Sequence, residues 1–148
     1  MERDEPDRLS IRENDRAAYN AILAKGSPLA GQDNKVAFLL AMMVGFREDR
    51  SLELGPKKDG YILTSYLNDK ERTIIRALAV STTGSLDILA DKKEVYAIAE
   101  KYAAGGIDHL RSEIEGGQFG TFEKKLEGQL IELLEKHEGN ASAESPPG

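Results

Sequence analysis

The spacing of apolar residues changes along the chain, and each change marks an element. In RLSIR, residues 8 to 12, Leu9 and Ile11 alternate with Arg8, Ser10 and Arg12, a period of two that suits a short strand with one buried face and equally a loop. Asn14 is placed to cap a helix over about 15 to 25, where Ala18, Tyr19, Ile22 and Leu23 recur at helical spacing until Gly26 and Ser27-Pro28 stop it. The run KVAFLLAMMVGFRED behaves differently. Its apolar side chains, among them Phe38, Leu39, Leu40, Met42, Met43 and Phe46, point around the whole helical circumference and leave no face for water. Eleven residues of helix between Lys35 and Arg47 rise about 16 Å, half of a bilayer's hydrocarbon core of about 30 Å, so this helix is too short to span. It has to be surrounded, either by the rest of the chain or by a second copy of it. Its expected limits are 34 to 48, with Asp33 or Asn34 as cap and Gly45 loosening its end.

From Arg47 to Leu67 the signals mix. Gly55-Pro56 and Asp59-Gly60 mark turns and YILTSY favours extended backbone, which predicts a loop with a short hairpin. Asn68 then caps an amphipathic helix with Ile74, Ile75, Leu78 and Ala79 on one side and Lys70, Arg72 and Arg76 on the other. STTGSLDIL breaks that helix. Asp91 starts the next, with Val95, Ile98, Ala99 and Tyr102 inward, and Gly105-Gly106 is expected to end it in a left-handed turn. IDHLRSEIEGG follows as a shorter helix or a continuation. Phe122, Leu126, Leu130, Leu133 and Leu134 predict a further amphipathic helix. The small, polar, Pro-rich tail from 139 to 148 is expected to be disordered. The fold class is therefore mainly α: a compact helical domain over 1 to 138 with a short N-terminal strand or β-hairpin.

Composition narrows the chemistry. The chain has no cysteine, which excludes disulfides and thiolate zinc sites, and its charged N-terminus MERDEPDRLS lacks the apolar core of a secretory signal. A cytoplasmic location is expected. Residues 1 to 76 carry 13 basic and 13 acidic side chains, while residues 77 to 148 carry 7 and 13, so the net charge of −6 belongs to the C-terminal half. Phosphate binding needs clustered cations, which confines any DNA contact to the N-terminal half. Folding could gather Arg47, Arg50, Lys57, Lys58, Lys70, Arg72 and Arg76 into such a cluster.

Catalytic patterns are sparse. His109 and His137 lack the spacing of metal ligands, and Asp91 reads as a cap although it stands four residues after Asp87. Ser81, Thr82 and Thr83 have no adjacent base. Glu53, Lys57 and Lys58 lack the second carboxylate of a nuclease site, and AAGGIDH and EGGQFG lack the pattern of a phosphate loop. The expectation is a protein with no enzymatic activity, no metal and no cofactor.

AFLLAMMVGFREDRSLEL and LDILADKKEVYAIAEKYAAGGIDHL resemble the small accessory proteins encoded beside DNA phosphorothioation (Dnd-type) modification and restriction genes. The resemblance is carried by Ala41, Gly45, Phe46, Arg47, Arg50 and Leu52, by Leu86 to Leu89, and by Tyr102, Ala103, Gly105 and Gly106. It covers about residues 19 to 110, and this chain departs from it in a longer C-terminal helix and acidic tail. It implies a non-catalytic role in a defence or DNA-modification module, acting through proteins or DNA. Together with the all-round apolar helix, the expectation is a homo-oligomer with that helix at or near the subunit contact, assembled with other proteins of the module. Strand, helix, helix at the N-terminus also resembles ribbon-helix-helix DNA binders. That resemblance would turn Arg8, Ser10 and Arg12 towards bases and bring Arg47 and Arg50 to phosphates.

Overall fold

The all-round apolar helix is enclosed by the chain itself. The structure is a computed structural model and describes residues 5–116 and 128–136. The apolar run forms α2 (Asn34–Arg47), and its main neighbour is a 24-residue helix, Lys92–Glu115, which we number α4. Ala37, Phe38, Ala41, Met42, Met43 and Val44 are all at most 1 % exposed, while Leu39, Leu40 and Phe46 lie half-buried against the same core. α4 thus supplies cover that a second copy would otherwise have to provide.

Glycines make that enclosure possible. A methyl group on Gly106 would overlap the Ala41 carbonyl oxygen and the Gly45 nitrogen, and one on Gly45 would overlap the Tyr102 carbonyl. Gly105 meets the Arg50 carbonyl in the same way. The two helices therefore touch backbone to backbone, an approach only residues without a Cβ allow. This corrects two expectations. Gly105-Gly106 does not end a helix, since α4 runs through both to Glu115, and Gly45 does not loosen α2 but forms its contact point. The helical spacing of Val95, Ile98, Ala99, Tyr102, Ile107, Leu110 and Ile114 runs unbroken across the pair, and all seven are buried. After α2 the chain reverses at Asp49 (φ 52°), and Leu52 N–H donates to the Lys101 carbonyl at 3.0 Å, so the outgoing strand of chain runs along α4.

The alternating RLSIR is a strand, β1 (Arg8–Arg12), with Leu9 and Ile11 buried. Its partner is β2 (Lys58–Leu63), antiparallel, in the register Arg8 to Leu63 and Arg12 to Lys58 with an irregularity between Leu9 and Ser10. The expected hairpin within 47 to 67 is replaced by this long-range pairing: Ile62 lies opposite Leu9, both buried, and YIL has no local strand to join. A 3-10 turn (Glu13–Asp15) precedes α1 (Arg16–Leu23), which is shorter than the predicted 15 to 25. Asn14 does not cap it, because it lies within the 3-10 turn, and Asp15 at the cap position turns its carboxylate to Arg12.

A second 3-10 turn (Thr64–Tyr66) leads into α3 (Asp69–Thr83). Asn68 caps α3 as expected, accepting from Glu71 N–H at 2.8 Å while the Glu71 carboxylate accepts from Asn68 N–H at 2.8 Å, a reciprocal capping box. Gly84 closes α3 in the left-handed conformation, φ 72°. A 3-10 stretch, Leu86–Ala90, follows, and Asp91 caps α4 through Glu94 N–H at 3.1 Å. Residues 128–136 are helical, with Leu133 buried and Leu130 and Leu134 packed on the same core. Phe122, Leu126 and the tail 139 to 148 lie outside the described residues. Among the described residues no helix is long and apolar enough to cross a membrane.

Candidate functional site

The cations singled out by sequence divide into those bonded within the fold and those facing solvent. Arg12 donates through Nε and Nη2 to the Asp15 carboxylate at 2.7 and 3.0 Å, and again through Nη2 to the Ala104 carbonyl at 3.1 Å. With Asp15 only 6 % exposed, this pair clips β1 to α4, and the hydrogen bond to Asp15 raises the Arg12 pKa further. Arg72 donates to the carbonyls of Leu67 and Thr64, the latter at 2.8 Å, and to Glu5 at 3.2 Å. Arg47 meets Glu48 at 2.8 Å, and Arg76 is half-buried on α3. The side chains of Arg8, Arg50, Lys57 and Lys58 are exposed.

The exposed four do not converge on one point. Arg8 and Lys58 pair with opposite ends of the two-stranded ribbon, roughly 13 Å apart along a strand. Lys58 instead borders a hollow with Glu53, Glu100 and Lys101. There the Glu100 carboxylate accepts from Ser10 N–H at 2.6 Å, and burial raises its pKa above the ordinary carboxylate value, an effect opposed by the Ser10 bond and the Lys58 charge. A ribbon formed between two copies would need this outer edge of β1, which Glu100 occupies.

Arg8 belongs to a different place. It lines a cleft of about 700 Å³ together with Asp33 and Lys35 at the start of α2, Tyr61 and Leu63 of β2, and Tyr66. The Arg8 side chain lies across Gly60, where an added Cβ would sit 2.7 Å from the Arg8 Cδ, so the glycine clears its path. No hydrogen bond or ion pair holds its guanidinium among the described residues.

Tyr66 forms the rim and was not foreseen. The residue is 67 % exposed, while Tyr19, Tyr61, Tyr96 and Tyr102 are each at most 7 % exposed. Its backbone, by contrast, is held firmly. Thr64 Oγ1 donates to the Pro6 carbonyl at 2.6 Å and Thr64 N–H to the Asp7 carbonyl at 2.9 Å. Arg72 binds the carbonyls before and after Tyr66, and Lys35 Nζ donates to the Tyr66 carbonyl at 3.1 Å and to Glu71 at 2.9 Å. Glu5 completes the frame by accepting from Arg72 and from the Tyr96 hydroxyl at 2.7 Å, and burial pushes the Tyr96 pKa up to about 12. Nothing in YILTSYL separates Tyr66 from buried Tyr61 by pattern alone. The hint that could have been used is its position two residues before a capping Asn, where chain turns outward.

On the cleft floor Tyr61 is 7 % exposed and packs on Tyr19 at 4.7 Å between ring centroids, with Arg16 5.0 Å from the centre of its ring. The Tyr61 and Tyr19 hydroxyls find no partner among the described residues, and burial pushes the Tyr61 pKa up to about 12.

Several of the residues weighed for catalysis have structural partners. Thr82 and Thr83 bond back to the Leu78 and Ala79 carbonyls at 2.9 and 3.0 Å, and Asp87 N–H is capped by Ser85 at 3.1 Å. Glu53 pairs with Lys101 at 3.5 Å and His109 lies 3.3 Å from Glu48, while His137 is outside the described residues.

The family model for DNA sulphur modification system-associated protein 4 matches residues 30–145, from just ahead of α2 to beyond the last described helix. No curated protein and no solved structure matches the chain.

Proposed function

The chain belongs to the DNA sulphur modification system-associated protein 4 family, and on that premise we propose that it is a non-catalytic accessory component of a DNA phosphorothioation-linked modification and restriction module. The match over residues 30–145 carries this reading, because it takes in α2, α3 and α4, the three long helices of the scaffold, and leaves out only β1 and α1 at the N-terminus among the described helices and strands. The scaffold itself supports a docking role. Its polar side chains are used to cap helices and clip elements together, as Asn68, Asp91, Arg12 and Arg72 do.

The protein works through contacts with other proteins of the module and touches DNA through the solvent-facing cations Arg8, Arg50, Lys57 and Lys58. Arg12 and Arg72 serve the fold. Self-association is not needed to cover α2, since α4 already does so. The test is co-purification with the module's other proteins, followed by a gel-shift titration on phosphorothioated and unmodified duplex at two salt concentrations. Each phosphate contact contributes about −0.9 to the slope of log K against log salt, so Lys57→Gln with Lys58→Gln should flatten it measurably. Failure to associate with any module protein, together with no duplex binding at low salt, overturns the reading.

A further inference from the structure

We propose that the cleft between β1, the start of α2 and the Thr64–Tyr66 turn takes one unpaired nucleotide of DNA, its base against the Tyr66 ring and its phosphate at Arg8. This rests on the reading of the chain as part of a DNA-modifying module and adds to it a strand state and a site. The first observation is a contradiction in how Tyr66 is treated. A turn fixed by Arg72, Lys35 and Thr64 could have packed its aromatic residue as the four other described tyrosines are packed, yet Tyr66 stands 67 % exposed. A rigid backbone presenting an exposed flat ring loses little freedom when something stacks on it.

The second observation is Arg8. Arg12, Arg16 and Arg72 each reach a carboxylate within 3.2 Å, whereas Arg8 crosses Gly60 to the cleft and meets none among the described residues. A planar guanidinium of this kind is matched to phosphate oxygens. The third is volume and lining. About 700 Å³ falls within the range of small-molecule sites, roughly 300 to 1,000 Å³, and Tyr61 and Leu63 give the cleft an apolar wall beside its two polar ends.

Together these select the ligand class. A nucleobase has flat faces that stack on aromatic rings whatever its sequence, but in a duplex those faces are covered by neighbouring pairs. The ring therefore reaches only a base that is unpaired. Asp33 on the α2 side of the cleft opposes further phosphates, and Lys35 already holds Glu71, so the site suits a single nucleotide and not a long acidic track. Its salt dependence should be shallow, near the slope of about −0.7 expected for one single-strand phosphate.

Fluorescence anisotropy of the full chain with a short dye-labelled oligothymidylate, and with a blunt duplex of matched length, tests this. Single strand is expected to bind; Tyr66→Ala should weaken it about ten-fold, Tyr66→Phe should leave it unchanged, and Arg8→Gln should remove most of its salt slope. Duplex binding should not respond to Tyr66→Ala. Because the ring is exposed, circular dichroism should show Tyr66→Ala folded as the parent is. No single-strand binding, equal loss in Tyr66→Ala and Tyr66→Phe, or tighter binding of an acidic aromatic peptide than of the oligonucleotide overturns the proposal. If co-purification with module proteins persists in that case, only the cleft assignment falls. If single strand binds as described but no module protein associates, the accessory reading falls instead.

Discussion

Where α2 crosses α4, backbone lies on backbone with no side chain between them; where β2 turns into α3, side chains hold the backbone and one ring is left in water. The two regions are built from opposite materials. At the crossing, Gly45 and Gly106 remove the Cβ atoms that would separate the helices, Gly105 does the same against the Arg50 carbonyl just past the end of α2, and Ala37, Phe38, Ala41, Met42, Val44, Ala103 and Ile107 exclude water around them. At the corner, Arg72, Lys35, Glu5 and Thr64 make directional bonds that fix the turn without filling it. The crossing fixes the fold by shape. The corner fixes one surface by hydrogen bonds, which is how a protein holds a group it presents outward.

The comparison breaks hardest at the crossing. Gly106→Ala adds one methyl group that meets backbone on two sides, the Ala41 carbonyl and the Gly45 nitrogen, and neither can move as a flexible side chain would. The helices must part along their length, and we expect a loss of about 3 kcal/mol in urea-induced unfolding, at the upper end for overpacking. Gly128→Ala, with nothing within 4 Å, serves as its control and should change little. Equal stability of the two variants would mean that the crossing is looser than drawn.

At the corner, Arg72→Met keeps much of the aliphatic bulk and removes the donors. The Thr64 and Leu67 carbonyls and the Glu5 carboxylate then lose a partner in a largely buried setting. We expect a loss of about 2 to 3 kcal/mol by the same measurement. The Thr64–Tyr66 turn should also show faster amide hydrogen exchange while α2 and α4 keep their protection. Uniform loss of protection would tie the corner to the crossing as one cooperative unit.

These two regions also show what sequence can and cannot disclose. α2 and α3 were legible because their signals are local: an unbroken apolar run of helical length, and a capping Asn three residues before Glu71. β1 was legible from its period of two. The meaning of Gly45, Gly105 and Gly106 was not, because a glycine pair in a helical pattern looks the same whether it ends a helix or admits a neighbour, and only the partner's position decides. The pairing of β2 with β1 was hidden for the same reason, being fixed by contacts across the whole first half of the chain. Among the basic residues, composition marked Arg8, Arg12 and Arg72 alike. What separates them is the nearness of Asp15 and Glu5, a three-dimensional fact. Tyr66 carried no signal that Tyr61 lacked.

A smaller effect is expected where the corner hands over to α3. Asn68→Ala removes the acceptor for Glu71 N–H and leaves half of the capping box. The expected loss is about 1 kcal/mol. Since Glu71 also holds Lys35, which in turn holds the Tyr66 carbonyl, the Asn68→Ala exchange rates should rise at the turn as well as at the first turn of α3. A loss confined to α3 would show that Lys35 secures Tyr66 independently of the cap.

The smallest effect is a titration at the opposite edge of the ribbon. Burial raises the Glu100 pKa, so its carboxyl takes up a proton more readily in the folded chain than in the unfolded one. Linkage then fixes the sign. Well above the raised value, ionised Glu100 opposes folding; as pH falls through it the folded state gains relative stability, and the gain is complete below the ordinary carboxylate value. Glu100→Gln imitates the protonated form and still offers an oxygen to Ser10 N–H. At neutral pH it should therefore equal or slightly exceed the parent in thermal midpoint, and the gap between them should close as the medium is acidified. A variant weaker than the parent at neutral pH, converging in acid, would mean that attraction to Lys58 outweighs burial, and that this edge of the ribbon is held by charge and not by the hydrogen bond alone.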